Sequence, residues 1–372
     1  LDKNEYMVWL TLLKGVGPVT QRHMLQKMCS SLNIYNASAG ELEHVCGLSK
    51  KAAELVCAGS KAQNALDPAK RILHRCSESG VRILTFENPL YPFEAAASTK
   101  MPILLYYRGT LIPNSMGIAI VGSRRCSDYA KDVACEAASF LAQNNIPVIS
   151  GLAKGIDGYA HTACLNSGGY TLAFLAGGPD ICYPTEHEPL YRAIIENGAV
   201  LSEHPPGTKP FYRQFARRNF LMSSWSRKVF VVQAGQKSGA LITAEYAFKS
   251  KKEVLSLPDR IYEKSSAGSN SLLLLGAKVY LNKKQLIEGV YAFQNRPAAN
   301  YESSRAETQA GDQSAVESEI LNVISKSAYS SDKISIMLSG KYTVSEIEET
   351  LFNLEMCDKV SLRAGLWHVK PK

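Results

Sequence analysis

Ile118-Ala-Ile-Val-Gly-Ser-Arg-Arg-Cys-Ser-Asp-Tyr129 runs four apolar residues into a glycine, a hydroxyl and two arginines, just before a helical pattern begins. A short apolar strand that ends in a glycine turn and enters a helix is the unit from which parallel sheets are built. Such a turn aims backbone N–H groups and the positive end of a helix at one place. It therefore favours an anion, and a phosphate is the simplest one.

Similar apolar runs lie on both sides, at 82–86, 103–107, 147–150, 171–175, 199–202, 228–233, 253–257 and 277–281. Helical segments fit between them at 129–144, 158–167, 189–197, 215–223, 241–250 and 270–275. Alternation of this kind predicts an α/β fold with a parallel sheet covered on both faces, an extended Rossmann-like domain over 81–292. Residues 1–80 are expected to form a separate N-terminal helical domain, with helices at 5–14, 20–28, 39–45, 50–63 and 67–80. Its turns Lys14-Gly-Val-Gly-Pro18 and Val45-Cys-Gly-Leu-Ser49 resemble helix-hairpin-helix (SAM-like) turns, although plain Gly-Pro links between packed helices look the same.

Residues 293–314 are rich in Ala, Ser, Asn, Gln and Glu without an apolar period, which is the composition of a linker. Beyond it, 315–372 read as a winged-helix domain, with helices at 315–324, 331–338 and 344–356 and a strand pair at 359–362 and 366–369. The third helix carries Glu346, Glu348, Glu349 and Glu355 and no Lys or Arg. Phosphate would repel it from a DNA groove, so a protein contact or a spacer role is expected there.

The 372 residues are 45% hydrophobic, enough for two or three domains with a substantial core. Apolar runs such as Val229 to Val232 and Leu272 to Leu275 are far shorter than the roughly 20 residues that span a bilayer. With no export leader before Asn4, a cytoplasmic protein with no membrane contact is expected. The nine cysteines, at 29, 46, 57, 76, 126, 135, 164, 182 and 357, include no C-x-x-C pair and read as reduced thiols rather than as a metal site. The net charge of +8 is concentrated: Thr208 to Lys252 holds ten basic residues and one acid, Glu245. That concentration predicts a surface facing a polyanion.

Several loops leave the strands with shared chemistry: Gly122-Ser-Arg-Arg125, Ser150-Gly-Leu-Ala-Lys-Gly-Ile-Asp157 and Leu175-Ala-Gly-Gly178. Phe215-Ala-Arg-Arg-Asn-Phe220 and Gln233 to Thr243 come to the same edge, because ligands of open parallel sheets sit outside the carboxyl ends of strands. The dinucleotide fingerprint G-x-G-x-x-G is absent, as is a Walker loop, so no cofactor is expected. Gly177-Gly178 is followed by Pro179-Asp180 and not by the acid-bearing loop of phosphoribohydrolases. Asp157 and His161 read as an N-cap and a packed histidine in preference to an acid/base pair, so no catalytic residue is assigned.

Taken in order, Val121-Gly-Ser-Arg124, Ser150 to His161, Gly178 to Pro184, Leu201-Ser-Glu-His-Pro-Pro-Gly207, Phe215-Ala-Arg-Arg-Asn219 and Ser238-Gly-Ala-Leu-Ile-Thr-Ala244 resemble the DNA-processing protein A (DprA/Smf) family. The resemblance implies a non-enzymatic protein that binds single-stranded DNA as a homodimer, loads the RecA recombinase and serves natural transformation and recombination. DNA-binding residues carried over from it, together with the loop chemistry, are Gly122, Ser123, Arg124, Ser150, Gly151, Lys154, Arg217, Arg218, Asn219, Ser238, Gly239 and Thr243. Departures are Phe220 where the family usually has arginine, Lys154 for another arginine, and Leu257-Pro258-Asp259 for a usual V-P-G. The resemblance implies a dimer contact at the four leucines of Asn270 to Gly276, with Leu272, Leu273 and Val279 as its expected residues; the alternative is that these leucines plug the last gap of the sheet. A nucleotide-binding or nucleotide-processing Rossmann-like protein is the alternative.

Overall fold

The computed structural model describes residues 3–113, 115–290, 310–344, 347, 350, 351, 354, 359–363 and 366–369. The chain divides into two compact units, 1–293 and 294–372.

In the first unit nine strands form one sheet: β1 (Arg82–Thr85), β2 (Leu104–Gly109), β3 (Gly117–Val121), β4 (Val148–Ser150), β5 (Thr171–Phe174), β6 (Gly198–Ser202), β7 (Ser226–Val231), β8 (Glu253–Ser256) and β9 (Lys278–Val279). Their order is β1-β2-β6-β5-β4-β3-β7-β8-β9. From β6 to β9 every neighbouring pair is parallel. The sequence pattern predicted a wholly parallel sheet, and the first two strands correct it: β1 pairs β2, and β2 pairs β6, antiparallel. For β1 and β2 the physical reason lies in their connection, which holds only the one-turn helix Phe93–Ala96 in place of a full crossover helix.

Strand β3 is buried throughout, and its side chains alternate between two cores. Ile118 and Ile120 pack with Ala134, Leu141 and Ala160 from helices Asp128–Gln143 and Ile156–Asn166. Ala119 and Val121 pack on the other face with Leu221, Trp225 and Ala244 from helices Tyr212–Trp225 and Ala240–Lys249. After β6 the chain jumps back to β7, on the far side of β3. The loops after β3 and its neighbours therefore face the crevice that such a reversal opens.

Six helices between Lys3 and Glu78 enclose a core that includes Met7, Leu10, Met24 and Val56 and reaches Ile103, Leu104 and Tyr106 at β2. One of them, Ser31–Asn36, was missed by the sequence pattern; it has six residues and starts at a Ser30 cap. Arg22 ties this block to the sheet side, donating to the carbonyls of Met101 (2.9 Å), Ala96 (2.6 Å) and Pro102 (3.3 Å).

The second unit holds helices Ala310–Lys326 and Ser331–Met337 and the antiparallel pair β10 (Val360–Arg363) and β11 (Leu366–Val369). Ile320, Ile324, Ile334, Leu351 and Trp367 share its core. Residues 293–309 of the expected linker, and Glu346, Glu348, Glu349 and Glu355 of the expected third helix, lie outside the described residues. Among the described residues no helix is long and apolar enough to cross a membrane.

Candidate functional site

At the carboxyl ends of β3, β4 and β7 lies a cavity of about 510 Å³. Eight of the twelve residues expected to bind DNA line it: Gly122, Ser123, Arg124, Arg218, Asn219, Ser238, Gly239 and Thr243. A smaller cavity beside it is lined by Gly151 and Lys154, together with Arg124 and Arg218. Arg217 and Ser150 line neither.

The floor is built from a buried ionic cluster. Arg218 and Asp157 are almost fully inaccessible, with Asp157 Oδ2 4.0 Å from Arg218 Nη1. Asp157 accepts from the N–H groups of Gly151 (3.2 Å) and Ala153 (3.4 Å), and Arg218 donates to the carbonyls of Gly151 and Phe174. Burial pushes the Asp157 carboxyl up and the Arg218 guanidinium down, while each partner pulls the other back. The carboxylate thus holds the loop after β4 and does not cap its own helix, which starts one residue earlier at Ile156. His161 Nδ1 meets Thr171 Oγ1 at 2.7 Å, and that hydroxyl donates to Val148 O, so the imidazole proton sits on Nδ1. Its Nε2 is buried and unpartnered, and burial lowers its pKa to about 3.

Gln233, to which no sequence motif gives a role, fixes the glycine turn. Its carbonyl accepts from Ser123 N at 2.7 Å, and its side chain accepts from Ser127 N at 2.9 Å. Its amide also reaches the hydroxyls of Ser127, Ser265 and Ser266. Ser127 in turn caps helix Asp128–Gln143 by accepting from Ala130 N. Gly155, at φ +75°, lets the neighbouring loop approach, because a side chain there would stand 2.3 Å from Ser123 O.

This bonding corrects three expectations. Ser150 is fully buried and its hydroxyl donates to Ile120 O, and the Gly151 N–H is held by Asp157, so neither group is available to a phosphate. Interior polar groups must find partners, and the fold has already supplied theirs. Ser123 N is likewise taken by Gln233 O. What the cavity presents is side chains: Arg124 and Lys237 are exposed and have no ion-pair partner among the described residues. Thr243 lies behind them: it is fully buried, and its hydroxyl oxygen has no hydrogen-bond partner among the described residues, so it is not presented to a phosphate either.

The basic surplus of 208–252 is also divided. Arg217 Nε pairs with Glu203 at 2.7 Å, Arg227 with Glu94 at 3.6 Å, Lys228 with Glu253 at 2.6 Å and Lys249 with Glu245 at 2.5 Å. Lys252 donates to three carbonyls, of Ser223, Ser224 and Ser226. Arg227, Lys228, Lys249, Lys251 and Lys252 stand where β7 and β8 begin, at the opposite edge of the sheet from the cavity. Lys154 is exposed but bridged to Glu186, whose carboxyl is held below its usual range: burial opposes this, and Lys154 outweighs it.

The family model described as DNA recombination-mediator protein A matches residues 82–291. The chain belongs to this family. Protein Smf of a Synechocystis strain is 34% identical over 302 residues, 78% of this chain and 74% of that protein. The X-ray structure of DNA processing protein A (DprA) from Streptococcus pneumoniae matches with a TM-score of 0.65 and 27% identity over 78% of this chain and 98% of that one. DNA processing protein A from Helicobacter pylori, whose structure is described for a unique single-stranded DNA binding mode, matches with a TM-score of 0.51 and 31% identity over 57% and 96% of the two chains.

The expected dimer residues of this family member fall in different places. Leu272 is only 4% exposed and belongs to the sheet core, because helix Ala267–Leu274 turns that face toward β8. It is therefore a core residue and not a surface contact, and Leu273 is partly buried against the same core. Val279 is exposed on β9, the edge strand. The leucines that face outward are Leu274 (91% exposed), Leu275 and Leu281. Four consecutive leucines in the sequence do not reveal which of them the helix buries.

Proposed function

We propose that the protein binds single-stranded DNA at the cavity edge without chemical change to it, and delivers the strand to the RecA recombinase in DNA uptake and recombination. The observation that carries this reading is the cavity where the β3 turn, the β4 loop and the Gly235 to Gly239 loop meet, with Arg124 and Lys237 as its unpaired cations. Phosphates meet Arg124 and Lys237, with Ser123, Asn219, Ser238 and Gly239 beside them, and Lys154 and Arg217 contribute once their carboxylate partners yield. Arg218 holds the floor. Membership of the family, and the binding mode for which the Helicobacter pylori relative is described, support the choice of strand. Binding of this kind is sequence-tolerant and salt-dependent.

The same reading takes the first unit as a helical domain (1–80) and a Rossmann-like domain (81–292), followed by a linker (293–314) and a winged-helix module (315–372). A cytoplasmic homodimer closes over Leu274, Leu275, Val279 and Leu281, the exposed apolar side chains at the β9 edge of the sheet. Titration of labelled single-stranded against double-stranded DNA tests the proposal. Tighter single-strand binding supports it, and equal binding of the two sinks it. The cavity's volume also suits one free nucleotide, and failure of nucleoside monophosphates to displace the oligonucleotide rejects that second reading.

A further inference from the structure

We propose that Tyr183, Phe215, Tyr212 and Phe211 form a base-stacking track that carries a single strand out of the cavity mouth. This rests on the single-strand reading above and adds to it a second kind of contact, with bases and not phosphates. Three of these rings lie open to solvent: Tyr183 is 48% exposed, Phe211 57% and Tyr212 65%. The fourth, Phe215, lines both cavities, so the row begins at the site itself.

The rings are held in place before any ligand arrives. Phe215 meets Tyr183 edge-on at 6.0 Å between centroids, and the Arg124 and Arg218 guanidinium groups lie 5.6 and 5.7 Å from its centre. Tyr212 and Phe215 are three apart on helix Tyr212–Trp225 and so share a face. Phe211 stands 4.5 Å from Tyr212, its N–H held by the Gln214 side chain, and Arg213 Nε donates to the Tyr212 hydroxyl at 2.7 Å.

Charge selects the occupant. Lys209, Arg213 and Arg124 are exposed along this stretch, and none of the three has an ion-pair partner among the described residues. Aromatic faces interleaved with unopposed cations suit a strand whose bases are unpaired and whose backbone is anionic. Duplex DNA keeps its base faces covered and cannot use the rings.

The test compares a thymidine oligonucleotide of roughly 20 residues, about the span of a few binding sites, with an abasic strand of equal length. Phe211→Leu/Tyr212→Leu keeps apolar bulk and removes the π faces, Tyr212→Phe keeps the ring, and Arg124→Glu reports on the cavity. The double variant should bind the thymidine strand at least about fivefold more weakly, with the abasic strand and the salt slope unchanged. Tyr212→Phe should bind as the wild type does. Wild-type affinity in the double variant while Arg124→Glu loses binding would overturn the track and leave the cavity reading standing. Equal weakening on both strands would also overturn it, since the contact would then be with the backbone. If Arg124→Glu binds normally, the cavity reading falls and the track falls with it.

Discussion

Arg218 donates from one guanidinium nitrogen to the carbonyls of both Gly151 and Phe174, joining helix Tyr212–Trp225 to the loop that leaves β4 and to the last residue of β5. A cation that reads from the sequence as a phosphate contact is thus the peg that fixes the cavity floor.

Replacing it should cost stability before it costs binding. Arg218→Met leaves Asp157 buried without its cation, and breaking such a pair costs about 3–5 kcal/mol. Arg218→Met/Asp157→Asn should recover part of that loss. Denaturant unfolding reads both, and an unchanged midpoint in the single variant would return Arg218 to the ligand.

Glu186 holds Lys154 in an ion pair at the edge of the smaller cavity. Glu186→Gln should free the lysine, raise single-strand affinity and steepen the logarithmic salt slope by about 0.7, the increment for one added phosphate contact. A weaker or unchanged slope would place Lys154 outside the strand's path.

His161 ties stability to pH. Its imidazole is held down to about 3 in the fold, whereas an unfolded histidine titrates near 6.5. Between those values the unfolded chain carries a proton that the folded one lacks, so this group's contribution is lost as pH falls from 6.5 toward 3. His187, also lowered by burial, acts in the same direction, and Asp157, raised by burial, acts in the opposite one. The stability difference between wild type and His161→Leu should therefore shrink steadily from pH 6.5 to pH 4. A constant difference would mean that His161 does not titrate in this way.

Arg22 reaches three carbonyls at the sheet side of the helical block. Arg22→Met should destabilise the first unit by about 2 kcal/mol or more, the scale of hydrogen bonds to a charged group. Limited proteolysis should then cut between residues 80 and 100 earlier than in the wild type. An unaltered cleavage pattern would show that apolar packing alone holds the block.

Most of the sheet is legible in the sequence because strands such as Gly117–Val121, buried on both faces, read as unbroken apolar runs. The direction of β1 and β2 is not, since periodicity carries no sign for the pairing of a strand. Site legibility divides along a different line. The positions of the glycine turn and of Phe215 to Asn219 follow from local motifs, whereas the availability of each cation depends on a carboxylate brought from elsewhere: Glu203 to Arg217, Glu186 to Lys154, Glu253 to Lys228. The ten-cation segment reads as one surface because neighbours in sequence look like neighbours in space. A strand and the helix after it run in opposite directions, and this sends half of those charges to the far edge of the sheet.

The most direct measurement is the salt dependence of single-strand binding in the wild type and in Arg124→Glu/Lys237→Glu, which removes the two unpaired cations of the cavity. If phosphates sit there, affinity should fall by more than about tenfold, and the logarithmic slope should flatten by about 1.4, or 0.7 for each lost contact. A folded double variant with wild-type affinity and slope would contradict the assignment of the cavity to DNA.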